Sequence, residues 1–185
     1  MTFTRYAIYF APPHGADWSQ FGASWLGWDM EVGADVAHPE IEGLDVAAIT
    51  ATPRKYGLHA TMKPPMRLAE GCSLADLEAA CATLAATQAP VALDGLQLAR
   101  LGRFLALRPL GDERALNALA AACVTELDAF RAPGPEAELA RRRANGLSPA
   151  QEQNLLNWGY PYVLDQFRCH ITLTGKLPKP ELPGG

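Results

Sequence analysis

Leu58-His59-Ala60-Thr61-Met62 and Cys169-His170-Ile171-Thr172-Leu173 carry nearly the same pattern. In each, a His and a Thr stand two residues apart, with apolar residues between them and on both sides. Residues i and i+2 of an extended strand point to one face. His59 and Thr61 are therefore expected on one surface, with Leu58, Ala60 and Met62 packed behind it. The second stretch repeats the arrangement, with His170 and Thr172 outside and Cys169, Ile171 and Leu173 inside. One His-x-Thr is an ordinary polar face of an amphipathic strand. Two copies among only four histidines point to a two-histidine acid–base site.

The flanks of these stretches supply further candidates. Lys63 follows Thr61 by two and Arg168 precedes His170 by two, so alternation places both cations on the His/Thr face as phosphate ligands. Gly57 precedes His59 by two and is expected to leave that face open to a ligand. Tyr56 and Tyr162 lie close enough in sequence to edge the site and stack on a base or sugar. Tyr9, on the face of the first strand opposite Tyr6, Ile8 and Phe10, is expected to line it as well.

Composition restricts the function classes. At 185 residues the chain can bury a substantial core, and 49% hydrophobic with 19% charged residues describes an ordinary globular protein. A formal net charge of -4 gives no general attraction to nucleic acid or to an anionic membrane. It leaves room for a locally basic cleft accepting a small phosphate ester. Cys72, Cys81, Cys123 and Cys169 have no Cys-x-x-Cys or zinc-type spacing, and read as reduced thiols. The N-terminus is too short and polar for a signal peptide, and no segment has the length to span a bilayer. A soluble, cytoplasmic protein is expected, with the oligomeric state open.

The rest of the chain alternates strands and helices in an α+β order. Arg5 to Phe10 reads as a strand stopped by Pro12-Pro13, and Asp17 to Trp28 as a helix that packs its tryptophans. Asp29 to Ala51 reads as loop with one short helix near Leu44 to Ile49. Pro64-Pro65 is expected to end the first motif strand. Ser73 caps a helix running to about Thr87. Val91 to Ala99 and Arg103 to Arg108 form a hairpin turning at Leu101-Gly102, and Asp112 caps a helix carrying Leu116 to Phe130. Glu136 to Arg143 is helical, with Arg141-Arg142-Arg143 as a solvated helix end. Ser148-Pro149, with Gln151, starts a helix that ends at Gly159. Tyr160 to Leu164 leads into the second motif strand, and the tail after Leu177 is extended and mobile.

Paired histidines suit displacement at phosphorus. One neutral imidazole accepts a proton from the attacking water while the other, protonated, donates to the departing alkoxide, both titrating near neutrality. Thr hydroxyls donate to the non-bridging oxygens as charge builds there. The two pairs lack the carboxylates of a two-metal phosphatase, so no metal is assigned.

Both motifs, with the stretches Arg54 to Leu68 and Trp158 to Leu177, resemble the 2H phosphoesterase superfamily, and within it a branch associated with phosphonate-metabolism genes. The resemblance implies one bilobal domain over residues 1–185: two pseudo-symmetric lobes with mainly antiparallel sheets facing a central cleft, helices outside. It implies catalytic His59, Thr61, His170 and Thr172 and a phosphoric diester hydrolase without cofactor. The substrate would be a 2′,3′-cyclic nucleotide or a small sugar- or phosphonate-derived cyclic ester. A non-catalytic binding protein for nucleotides or RNA ends is the alternative. A metal-dependent hydrolase using His59, His170 and carboxylates such as Asp165 is a third reading.

Overall fold

The computed structural model describes residues 4–144 and 146–179. It is a mixed α+β fold whose registered strand pairs are all antiparallel. The five strands β1 (Tyr6–Phe10), β4 (Ala60–Met66), β7 (Ile171–Thr172), β6 (Phe104–Leu110) and β5 (Gly95–Leu101) hydrogen-bond in that order. Two short strands, β2 (Trp28–Asp29) and β3 (Ala34–Asp35), pair separately within the stretch expected as loop. Among the described residues no helix is long and apolar enough to cross a membrane.

The chain divides into two compact units. The first takes the residues up to Ile8, then Thr61–Ala92 and Asp112–Cys169. It holds α3 (Leu74–Thr87), α4 (Arg114–Glu126), α5 (Glu136–Arg143) and α6 (Pro149–Trp158). Local chemistry explains their ends. Ser73 and Asp76, and likewise Ser148 and Gln151, form reciprocal capping boxes, while Gly159 closes α6 in the left-handed conformation. Leu77, Leu84, Leu116, Ala120, Val124, Leu127 and Leu155 are buried in its core.

The second unit takes Tyr9–Ala60, Leu93–Gly111 and the chain from His170. It contains α1 (Asp17–Leu26), α2 (Val46–Thr50), the β5–β6 hairpin and β7. The helix expected to reach Trp28 stops at Leu26, because Gly27 at φ 71° turns the chain and Trp28 begins β2. Register fixes which side chains meet: Gln97 faces Arg108 and Ala99 faces Ala106 on the hairpin, and Ala106 faces Thr172 across to β7.

Two expectations about the motif strands are corrected. Pro64-Pro65 does not end the first, which continues to Met66. Proline's fixed φ is compatible with extended chain, and what it lacks is one ladder donor. The described pairing of β4 to β7 is the single pair Ala60↔Ile171, ahead of both prolines. The second motif strand is only two residues long, and Tyr160 to Leu164 leads instead into a 3-10 turn at Leu164–Gln166. The tail is described only to residue 179, so the expectation of mobility beyond it lies outside the described residues.

Candidate functional site around His59 and His170

The burial pattern predicted for both motifs holds residue by residue. Leu58, Ala60 and Met62 are buried, as are Cys169, Ile171 and Leu173, while His59, Thr61, His170 and Thr172 are half-exposed. The apolar half of each motif anchors its backbone, and the polar half is held up from that base. β4 and β7 are direct neighbours through Ala60↔Ile171, so the motifs are not carried by separate sheets. Both histidines fall in the second unit. Carried on by one residue, this register sets His59 opposite Thr172. Thr61 follows as the second residue of β4.

His59 is fixed in orientation and in tautomer. Its Nδ1 lies 3.0 Å from the Gly57 carbonyl oxygen. A carbonyl only accepts, so Nδ1 carries the hydrogen and the neutral ring presents Nε2 as a lone pair. The Tyr9 ring stacks on the imidazole at 3.9 Å between centroids, and Tyr56 approaches at 6.2 Å with a tilt of 58°. Burial pushes the His59 pKa below its ordinary value; the Gly57 bond opposes this, and the nearby His170 charge adds to the lowering. The two imidazoles are thus electrostatically coupled, and both the burial and the His170 charge favour the neutral ring of His59.

His170 is flanked by groups the sequence reading missed. Phe104 packs against its ring at 5.9 Å and 51°. Arg108 is reached by extension: β6 faces β7 as Ala106↔Thr172 and Leu107↔Ile171, and this register carried one residue past the end of β7 sets Arg108 opposite His170. Leu173 N–H donates to Leu105 O at 2.9 Å. Bonded and non-bonded pairs alternate along such a ladder, so three residues on from that bonded pair Arg108 and His170 fall in a non-hydrogen-bonded position, the closer kind for side chains. Only the strand register could have revealed this neighbour. Trp25 supports the strand from below, its Nε1–H donating to the Leu173 carbonyl at 2.8 Å.

The other candidates are placed differently. Lys63, expected beside the phosphate, is only 2% exposed and belongs to the first unit. There its ammonium donates to the Val124 carbonyl at 2.8 Å and faces Asp128 at 3.5 Å. Burial lowers its pKa, with Asp128 opposing. Arg168 also belongs to the first unit, where its Nη1 donates to the carbonyls of Asp165 and Phe167. Tyr162 meets Tyr160 edge-on at 5.8 Å in that same unit. Alternation failed for Arg168 because residues 167–170 are not regular strand. Gly57 does not open the face either: a Cβ there would stand 2.6 Å from the Met30 Cβ. Asp165, the carboxylate of the metal-dependent reading, accepts from Asn154 and Gln166. Among the described residues no three His, Cys, Asp or Glu side chains gather as a metal site.

Comparison with known proteins gives a family and two curated relatives. Residues 61–183 match the family model described as Protein of unknown function (DUF1045). The chain is 41% identical over 177 residues to a protein of Janthinobacterium sp. (strain Marseille) named ribose 1,5-bisphosphate phosphokinase PhnN, covering 94% of this chain and 39% of that protein. A protein of the same name from Laribacter hongkongensis (strain HLHK9) is 39% identical over 179 residues, covering 97% and 42%. The chain therefore spans about two fifths of the length of these curated relatives. No solved structure matches it. The names correct the expected phosphoric diester hydrolase, since both relatives are named as a kinase. The physical reason for the error is plain. Paired imidazoles disclose proton transfer at a phosphate, but not whether water or another oxygen attacks it.

Proposed function

The chain belongs to the DUF1045 family, and from its paired imidazoles we propose that it binds a phosphorylated pentose and moves protons at the phosphate. His59 is the acceptor, through Nε2, and His170 the donor. The observation that carries this reading is the Nδ1–H bond of His59 to the Gly57 carbonyl beside a second, electrostatically coupled imidazole. A base positioned by its own backbone presents one lone pair in one direction, as proton abstraction from a hydroxyl requires. Thr172, set opposite His59, donates its hydroxyl to a phosphate oxygen. Thr61 receives the same part from the motif alone. Arg108, across the ladder from His170, supplies the cation, and its forked donors match a phosphate.

The pentose is suggested by the name of the relatives, ribose 1,5-bisphosphate phosphokinase. That activity belongs to proteins more than twice this length. This chain is assigned the pentose-phosphate part of it. Tyr9 and Tyr56, next to His59, form an aromatic wall against which a sugar ring packs.

Calorimetric titration with ribose 1,5-bisphosphate, and with unphosphorylated ribose as control, tests the reading. The phosphorylated sugar should bind, and His59→Ala and His170→Ala should each weaken it about tenfold. Phosphorus NMR of the bound ligand should show a pH-dependent shift that both variants remove. Equal binding of ribose, or unchanged affinity in both variants, would refute the assignment.

A further inference from the structure

A second concentration of charge lies in the first unit, apart from the imidazoles. Arg5, Lys63, Arg67 and Arg131 line one cavity together with Glu138. Two partners complete the set: Asp128, which accepts from Lys63 and Arg131, and Arg142, which donates to Glu138. Five cations thus meet two carboxylates around one opening, a local surplus of three positive charges in a chain whose net charge is -4. Self-repulsion of that size destabilises a fold unless an anion answers it.

The cavity is built to keep these charges in place. Arg131 holds Asp128 through Nε at 2.7 Å and Nη2 at 3.0 Å, and a further Nη2 bond goes to the Asn157 carbonyl. Gly159 lines the same opening, and a Cβ there would come within 3.0 Å of the Arg131 Nη1. Arg67 is tied to the Pro133 carbonyl at 3.2 Å, and Arg5 faces Glu138 at 3.8 Å. Lys63 is buried at the base. Trp158 and Tyr160 give the wall an aromatic side, with Arg142 lying 4.5 Å over the Tyr160 ring.

We infer that this cavity is an anion site whose ligand is a diphosphate group. Arginine forks with a desolvated ammonium are the donor set that holds phosphate oxygens, and one carboxylate would not balance a surplus of three. Free pyrophosphate and the diphosphate of a nucleotide share this chemistry. The aromatic wall would favour the nucleotide.

The four tryptophans allow a direct test. Trp158 lines the cavity, whereas Trp18, Trp25 and Trp28 belong to the second unit. In proton–nitrogen correlation spectra of the full chain, pyrophosphate or ADP should shift the Trp158 indole signal saturably. Tighter binding of ADP identifies the nucleotide, and equal binding identifies the bare diphosphate. Arg67→Gln and Arg5→Gln, on the outer side of the cavity, should each weaken the response about tenfold. His59→Ala and His170→Ala should leave it intact, so that failure of the imidazole site and failure of this one are told apart. A Trp158 signal that does not move, that moves in both arginine variants as it does in the wild type, or that stops moving in the histidine variants would overturn the inference.

Discussion

The Nδ1–H of His59 donates to the carbonyl oxygen of Gly57, two residues back, at 3.0 Å. That contact decides the ring's chemistry, because the bonded nitrogen keeps its hydrogen and only Nε2 is left to take a proton. With burial lowering its pKa, His59 is protonated in the folded chain at a lower pH than in the unfolded chain. As pH falls through the unfolded value of about 6.5, the unfolded state binds the proton first. The stability contributed by neutral His59 is lost from there down to the folded pKa. Urea midpoints measured across this window should fall more in the wild type than in His59→Gln. Parallel curves would contradict the lowered pKa.

A second expectation concerns the coupling of the rings. A charge on His170 disfavours a charge on His59, so His170→Ala should raise the His59 pKa. The rise should be incomplete, since burial is the larger cause and survives the substitution. Imidazole proton shifts followed against pH measure it. A His59 pKa that stays put or drops in the variant would show that the rings do not sense each other.

Trp25 bears on the same strand from outside the motif. Its indole N–H donates to the Leu173 carbonyl, which otherwise sits among buried groups at the end of β7. Trp25→Phe keeps most of the ring and removes the donor. The expected loss is about 1 kcal/mol for the bond, with more from the smaller ring. Leu173 N–H bonds to the Leu105 carbonyl, so its amide hydrogen exchange should quicken in the variant. Unchanged exchange would place Trp25 outside the support of the strand.

What the sequence disclosed here was local in origin. The buried and half-exposed alternation of 58–62 and 169–173 follows from a period of two, and Ser73, Ser148 and Gly159 mark helix ends through contacts within one turn. Tyr9 stacks on His59, although the alternation that singled it out does not hold in β1, where Phe10, expected toward the core, is exposed. The reading failed where a side chain's fate is decided far along the chain. Lys63 is captured by a carbonyl 61 residues away, and Arg108 is set opposite His170 by a strand register invisible in the order of residues. Arg141-Arg142-Arg143 read as solvated, yet Arg142 reaches Glu138 and the Tyr160 ring, and Arg143 reaches Glu152. The hydrolase reading, against which the kinase name of the relatives stands, had a chemical origin, because hydrolysis and phosphoryl transfer need the same proton transfers.

Gly57 gives the most exacting test of how the site is held. Its φ of 72° is costly for any residue with a Cβ, and that Cβ would stand 2.6 Å from the Met30 Cβ. Gly57→Ala therefore meets backbone strain and a clash at once, with an expected loss of about 1–3 kcal/mol. The distortion falls on the carbonyl that orients His59. The variant should lose the single tautomer, visible in the imidazole nitrogen shifts, before it loses its fold. Met30→Ala removes the Met30 Sδ and Cγ, which that Cβ would meet at 2.7 and 2.9 Å, but neither the Met30 Cβ nor the φ strain. In the Met30→Ala/Gly57→Ala double variant, part of the lost stability should return relative to Met30→Ala alone, and the rest should not. Full recovery would mean that φ strain and the Met30 Cβ cost nothing here, and no recovery that the Met30 Cγ and Sδ do not matter.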